Sequence, residues 1–165
     1  MSENMPAPPH AARSTARLAA VQALYQMDIA ATGAKTVIAE FAQHRFGHEV
    51  DGQHYDEADL AFFEDLVLGV VREQTAIDPV IARHLAEGWR LSRLDSILRA
   101  ILRAGAYELM FRPDIPIKVA INEYLEVAHA FFEGGEEPAV VNGVLDKIAR
   151  TARQREAAGA DDGAR

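Results

Sequence analysis

Apolar residues recur along most of the chain at spacings of three and four, the period that places them on one face of an α-helix. In the first such segment, 13–31, the apolar positions are Leu18, Val21, Leu24, Tyr25 and Ile29. The same period predicts helices from about 56 onward and at 36–46, 78–87, 92–111, 116–132 and 138–154. No segment alternates convincingly in the manner of a β-strand, so the pattern predicts an all-α fold of about seven helices.

Helix boundaries and crossings are marked by residues with particular backbone preferences. Asp78-Pro79 predicts the start of a helix, because an acidic N-cap is followed by proline at the first helical position. Gly88 ends that helix, and Trp89 is expected to anchor the following turn. Gly105 lies inside the apolar face of 92–111, where glycine costs about 1 kcal/mol relative to alanine. We therefore expect another helix to cross closely at Gly105.

The aperiodic ends frame a single helical domain. Residues 1–12 are rich in proline and alanine, and 156–165 in glycine, alanine and aspartate, so we expect both ends to be disordered. Between them, 13–155 is predicted to form one domain of two helical subdomains. The first, 13–75, holds three helices, and the second, 76–155, holds four.

Composition narrows the classes of protein. The chain has 165 residues, of which 49% are hydrophobic and 25% charged, as in an ordinary globular domain. Cysteine is absent, which excludes disulfides, thiol catalysis and cysteine-based zinc sites. The N-terminus lacks the apolar segment of a signal peptide, and no apolar run approaches the ~20 residues that span a bilayer. We expect a cytoplasmic protein without a membrane segment.

Charge is distributed unevenly. The net charge of −8 argues against a generally basic coat that binds nucleic acid without specificity. Segment 40–65, however, carries eight acidic residues against Arg45 alone, nearly the whole net charge. Part of this cluster, Asp56, Glu57 and Asp59, is expected to complement a helix dipole in a first turn. A local cluster of arginines outside segment 40–65 is therefore compatible with the negative net charge of the chain.

Most candidate chemistry has an ordinary structural explanation. The chain lacks a phosphate-binding glycine loop, a dinucleotide fingerprint and a nucleophile elbow, so no catalytic residue or cofactor is predicted. His44 and His48 are four apart, but Gly47 between them favours surface histidines over a metal site. His84 is isolated on its helix and fits a surface or core position.

Polar residues among apolar ones leave two alternatives open. Asn122, Glu123 and Asn142 lie in apolar surroundings, either as a hydrogen-bonded lock between helices or as part of a binding surface. Two arginine pairs with i, i+4 spacing, Arg13 with Arg17 and Arg99 with Arg103, could align guanidinium groups on phosphates, although a solvated helix face is the commoner explanation.

Several blocks in a fixed order resemble the NusB family over residues 13–150. The blocks are ARSTARLAAVQALYQ (12–26), LSRLD after Trp89, ILRAGAYEL (101–109), DIPIKVAINE (114–123) and VVNGVLDKIA (140–149). The resemblance implies an all-α protein of two packed subdomains without enzymatic activity or cofactor. It further implies transcription antitermination, by binding boxA-type single-stranded RNA of ribosomal leader transcripts together with NusE, a small-subunit ribosomal protein. This pair joins an antitermination complex on RNA polymerase, and the family also allows a homodimer.

The resemblance also implies RNA-binding residues near the N-terminus. Arg13 and Arg17 match the family's arginine-rich segment, but Ser14 and Thr15 stand where other members have more arginines. Fewer phosphate contacts predict weak RNA affinity for the chain alone and a shallow salt dependence. Tyr25 matches a family tyrosine near the same surface, and core packing explains it equally well.

A second set of implied RNA-binding residues lies later in the chain. Lys118 matches a basic position beside the RNA, and Glu136, Val140 and Asn142 lie in the 133–142 region that contacts it. Val140 stands where some members carry phenylalanine, so no base can stack at that position. Glu136, with Glu137, keeps the loop acidic and should lower affinity.

Two other classes of protein compete with this interpretation. One is a relative of the NusB-like domain of an RNA cytosine methyltransferase, which the absence of a cysteine nucleophile and of a cofactor domain disfavours. The other is a helical adaptor for protein partners that binds no RNA.

Overall fold

The computed structural model describes residues 9–44, 49–50, 53–54 and 60–163. Within these ranges the fold is helical, as predicted, with six α-helices rather than about seven. The helices are α1 (Pro9–Ala30), α2 (Ala34–His44), α3 (Leu60–His84), α4 (Ser96–Phe111), α5 (Ile117–Phe131) and α6 (Glu137–Gly163). A 3₁₀ turn, Leu91–Arg93, precedes α4. No helix in the described ranges has the length and apolarity needed to cross a membrane.

Contacts cluster into two compact units, which we call unit 1 (Met1–Val71) and unit 2 (Arg72–Arg165). The boundary falls inside α3, whereas the predicted subdomain division lies at 75/76. In unit 1, α1 packs against α2. Ala16, Ala19 and Ala20 are fully buried on α1. The rings of Phe41 and Phe63 stack with centroids 5.3 Å apart.

Unit 2 is built on α4, α5 and α6, which all contact one another. A Cβ atom added to Gly105 would lie 2.9 Å from Leu145 Cδ1 and 3.3 Å from Tyr124 Cδ2. These distances are too short for a methyl group without movement of the neighbouring side chains. The predicted close crossing at Gly105 is therefore confirmed, with α5 and α6 as the neighbours.

The predicted helix start at Asp78-Pro79 is wrong. Helix α3 continues through Pro79, which merges two predicted helices into one. The Asp78 carboxylate does not cap a helix but accepts two hydrogen bonds from Arg103, from Nε and Nη2, each 2.9 Å long. Ile77 and Ile81 are fully buried on either side of Pro79. Tertiary packing thus outweighs the cost of about 3 kcal/mol for a proline inside a helix.

The described ends of the chain are more helical than predicted. Helix α1 begins at Pro9, where proline suits the first helical position, so it includes 9–12 of the end expected to lack structure. Residues 1–8 lie outside the described residues. Helix α6 continues to Gly163 through the tail predicted to be disordered. The alanines of that tail are the strongest helix formers, which explains the difference.

Two further boundaries differ from the pattern. Between α2 and α3, in a segment where no helix is predicted, the two-residue strands Glu49–Val50 and Gln53–His54 pair antiparallel, with Glu49 opposite His54 and Val50 opposite Gln53. The acidic residues 56–59, predicted to begin a helix, lie outside the described residues. Helix α4 begins at Ser96 rather than at Ser92, because the Asp95 side chain accepts a hydrogen bond from the Ile97 backbone N–H at 2.8 Å.

Candidate functional site

The two N-terminal arginines of α1 converge on one aromatic ring. The guanidinium carbon of Arg13 lies 5.0 Å, and that of Arg17 5.1 Å, from the ring centroid of Phe62 on α3. Arg13 is exposed, but Arg17 is only 1% exposed. The predicted i, i+4 pair is therefore close in space, yet only Arg13 is at the surface. We call Arg13, Arg17 and Phe62 the Phe62 cluster.

Burial changes what the second arginine can do. A guanidinium cannot lose its charge in a protein, so a buried arginine must be compensated by the groups around it. The face of an aromatic ring contributes to this through the cation–π interaction. Arg17 thus holds α1 against Phe62, while Arg13 retains surface for a ligand. Tyr25, three turns of helix away from Arg13, is half-buried.

In unit 2, most of the predicted site residues are exposed. Lys118 lies in the first turn of α5, Glu136 directly before α6, and Asn142 in the second turn of α6; all three are exposed. Val140 is half-buried. The turn between α5 and α6 uses Gly134 at a φ of +78° and is closed by a hydrogen bond from the Gly135 N–H to the Phe132 carbonyl.

Two of these residues line a groove with residues from a distant part of the sequence. The groove measures about 390 Å³ and runs between the end of α3, the turn after it and one face of α6. Its lining residues are His84, Ala86, Trp89, Glu136, Ala139, Val140, Gly143, Val144 and Lys147. We call it the Trp89 groove. Glu136, Val140, Gly143 and Lys147 recur every three or four residues, so this face of α6 was readable from the sequence.

Trp89 was predicted only as an anchor for its turn, and the structure shows why it is placed beside α6. Gly88 adopts a φ of +94°, a conformation that favours glycine, and the Trp89 N–H donates to the Ala86 carbonyl at 3.1 Å. The turn leaves the indole half-buried. The Gly-Trp pair was the available signal, but its neighbours on α6 follow about 50 residues later.

His84 contributes a neutral polar group to the same groove. Its Nε2 atom is buried and has no hydrogen-bond partner among the described residues. Burial lowers the pKa of His84 below its ordinary value, and the positive charges of Arg83 and Lys147 lower the pKa further. The imidazole is therefore uncharged at neutral pH and offers hydrogen bonding rather than charge.

Trp89 also borders a second groove, of about 490 Å³, which carries arginines. Arg103 in this groove is held by Asp78, and Arg99 Nη1 donates to the Leu91 carbonyl at 3.2 Å. Arg99 and Arg103, considered as a pair that could align on phosphates, are thus both engaged in contacts within the protein. Arg90 beside them is exposed, and no side-chain hydrogen bond or ion pair is found for it in the described part of the chain.

The alternatives for the polar residues of α5 and α6 are now partly resolved. Asn122 and Asn142 are exposed, so neither forms a buried lock, and Glu123 is half-buried. The buried polar contact between helices is a different one: the Tyr124 hydroxyl on α5 donates to Glu108 Oε2 on α4. Both residues are almost fully buried. The signal in the sequence was Glu108 within the apolar face of α4.

No cluster of metal-binding side chains is found in the described ranges. His44, one of the considered ligands, is exposed at the end of α2. Its considered partner His48 lies outside the described residues.

Sequence comparisons place the chain among proteins of one family. The sequence model of the NusB family matches residues 14–150. A transcription antitermination protein NusB of Caulobacter vibrioides is 57% identical over 141 residues, covering 86% of this chain and 94% of that protein. The corresponding protein of Allorhizobium ampelinum is 56% identical over 141 residues, covering 86% of this chain and 88% of its own length.

Solved structures agree with the fold. The structure of T. maritima NusB superposes with a TM-score of 0.71 at 32% identity, covering 88% of this chain and 93% of that chain. A chain in a complex of the antitermination factors NusB and NusE with double-stranded RNA reaches a TM-score of 0.72, covering 86% of this chain and 98% of its own. At 23% identity, this second likeness shows the fold alone.

Proposed function

The chain belongs to the NusB family, and we propose that it binds boxA-type single-stranded RNA jointly with the ribosomal protein NusE in transcription antitermination. The observation that carries this proposal is the similarity at 57% identity to a NusB protein, of which the chain covers 94%. The relatives are named transcription antitermination proteins, which favours this function over that of an RNA methyltransferase.

The charge distribution supports a joint rather than an independent RNA site. Arg13 is the exposed cation of the Phe62 cluster, and Lys118 is the exposed cation at the start of α5. So few cations on a chain of net charge −8 give weak affinity for a polyanion. A basic partner that binds RNA beside them makes the second set of contacts effectively intramolecular and raises the overall affinity.

We assign the proposed RNA contacts by exposure. Arg13 and Lys118 contact phosphates, while Glu136, Val140 and Asn142 line the path of the bases at the start of α6. Tyr25 borders the first of these surfaces. Arg17 is buried, so it supports Arg13 through Phe62 instead of contacting phosphate. The protein acts in this proposal as a binding factor in the cytoplasm, on RNA polymerase, without catalysis or cofactor.

The proposal is tested by titrating labelled boxA RNA with the chain at several salt concentrations, with and without NusE. We expect NusE to tighten RNA binding several-fold or more, and RNA to tighten NusE binding by the same factor. Independent binding of the two partners would contradict the joint site.

A matched pair of variants tests the proposed contact at Arg13. Arg13→Ala should weaken RNA binding and reduce the slope of log affinity against log salt by about 1. Lys35→Ala removes one positive charge from an exposed position of α2 outside the proposed site and should leave both quantities nearly unchanged. Equal effects of the two variants would remove Arg13 from the interface.

A further inference from the structure

The Trp89 groove has the features of a pocket for a flat ligand. Its floor is apolar, formed by Ala139, Val140, Gly143 and Val144 of α6, and the half-buried indole of Trp89 forms a wall. Its volume of about 390 Å³ lies within the roughly 300–1,000 Å³ of small-molecule sites. Within the described chain this groove thus combines an accessible aromatic ring with an apolar floor.

We propose that the Trp89 groove receives one base of the single-stranded RNA, which stacks on the Trp89 indole. This inference rests on the proposed function and names the part of the RNA that the groove recognises. Unstacked bases of single-stranded RNA bind proteins by stacking on aromatic side chains and by hydrogen bonds along their edges. Val140 on α6 has no aromatic ring on which a base could stack. Trp89, in the connection between α3 and α4, supplies such a ring instead.

The polar residues of the groove suit the edge of a base. The Glu136 carboxylate accepts hydrogen bonds, such as those of an exocyclic amino group, and the Lys147 ammonium donates them to a carbonyl oxygen. His84 adds an uncharged imidazole with an unpartnered Nε2. An unpaired buried polar atom costs free energy, and a ligand or water that reaches it on binding removes this cost.

The surroundings of Trp89 also provide for the backbone of the same nucleotide. Trp89 lines both the Trp89 groove and the neighbouring arginine groove, where Arg90 is exposed. A base stacked on one side of Trp89 therefore has a cation within the adjoining groove to meet its phosphate. An apolar pocket for the base beside a cation for the phosphate is the usual arrangement of single-strand binding.

Trp89 is the sole tryptophan of the chain, so tryptophan fluorescence reports on the surroundings of Trp89 alone. We expect boxA RNA to quench that fluorescence in the complex with a NusE variant that lacks tryptophan. In a series of RNAs with one base at a time replaced by an abasic residue, a single position should abolish the quenching. Quenching that persists across the whole series would overturn stacking on Trp89.

A second experiment uses a variant whose larger side chain occupies the groove while Trp89 itself is not substituted. A Cβ atom added to Gly143 meets nothing within 4 Å, and Gly143 lines the groove, so the leucine side chain of Gly143→Leu has room to begin and is expected to extend into the groove. We expect Gly143→Leu to lower RNA affinity about tenfold, within the range that one base–aromatic stack supplies. Ala130→Leu adds the same side chain at an exposed position of α5 and should bind RNA as the wild type does.

The outcomes separate this inference from the proposed function. If Gly143→Leu binds RNA with wild-type affinity while NusE still promotes binding, the groove is not a base site and the proposed function stands. If the wild type binds no boxA RNA even with NusE, the proposed function fails, and the inference fails with it. Equal losses of RNA affinity in Gly143→Leu and Ala130→Leu would also contradict a base-binding site in the groove.

Discussion

The Phe62 cluster of unit 1 and the Trp89 groove of unit 2 use the same kinds of residue in opposite ways. In the cluster, the ring of Phe62 is buried and two guanidiniums lie over it, one of them also buried. In the groove, the ring of Trp89 is half-exposed and its cations are at the surface. Arginine next to an aromatic ring therefore does not by itself mark a ligand site.

The difference lies in what contacts the charged group and the aromatic ring: other residues of the protein or a ligand from solution. In the cluster the protein satisfies most of both, so its residues contribute chiefly to stability. In the groove, Trp89 is half-exposed and Lys147 is exposed, so a ligand can contact both. We expect mutation of the buried Arg17 to change the free energy of unfolding, and mutations in the groove, like that of the exposed Arg13, to change RNA affinity.

The largest expected effect is the loss of the buried arginine. Arg17→Ala should lower the free energy of unfolding by about 3 kcal/mol or more, since it breaks buried charge compensation and leaves a cavity. Arg13→Ala, in the same cluster but exposed, should cost about 1 kcal/mol or less. Urea denaturation measures both, and similar costs for the two variants would contradict the asymmetry.

The buried pair of Glu108 and Tyr124 lies in unit 2, like the groove. It tests whether burial, rather than the unit to which a residue belongs, decides whether a mutation changes stability or RNA affinity. Tyr124→Phe removes the hydroxyl that donates to Glu108 and should lower the free energy of unfolding by about 1–3 kcal/mol. RNA affinity of the folded variant should not change. A stable variant with impaired RNA binding would place Glu108 and Tyr124 in the functional site.

Two helical glycines of unit 2 have different surroundings: Gly105 on α4 is closely packed, whereas Gly143 on α6 has open space beside it. Gly143→Ala adds a methyl group in open space and should stabilise the protein by about 0.5–1 kcal/mol through helix propensity. Gly105→Ala places the same group 2.9 Å from Leu145 Cδ1, so repacking should cancel that gain. Thermal unfolding of both variants measures the difference, and an equal rise in the melting temperature would show that Gly105 is not tightly packed.

The smallest expected effect is the pH dependence contributed by His84. Its pKa is lowered on folding, so the unfolded chain binds the proton more readily, and stability falls as the pH drops below the unfolded value of 6.5. Above that value the contribution is constant. His84→Phe should lose less stability than the wild type between pH 7.5 and pH 5, measured by urea denaturation. Parallel pH profiles would show that His84 is as easily protonated when folded.

Local periodicity was sufficient for the all-α class and for most of the helices, because these depend on residues close in sequence. The crossing at Gly105 was predicted from a glycine inside an apolar face, although its neighbours Tyr124 and Leu145 lie on other helices. It failed at Asp78, whose partner Arg103 follows 25 residues later and turns a predicted cap into an ion pair. It failed likewise at Arg17, since the ring that covers it belongs to another helix. The α6 face of the Trp89 groove was visible in the sequence, but its pairing with Trp89 required the fold.

Pro79 leaves one turn of α3 without its full complement of backbone hydrogen bonds, since proline has no N–H to donate to the carbonyl of Thr75. The Arg103–Asp78 pair fastens the same turn to α4. Brief local opening should start there, and the amides between Pro79 and Trp89 should exchange with solvent deuterium in concert. The Arg103–Asp78 ion pair would then determine the lifetime of the closed conformation in which His84 and Trp89 line the groove.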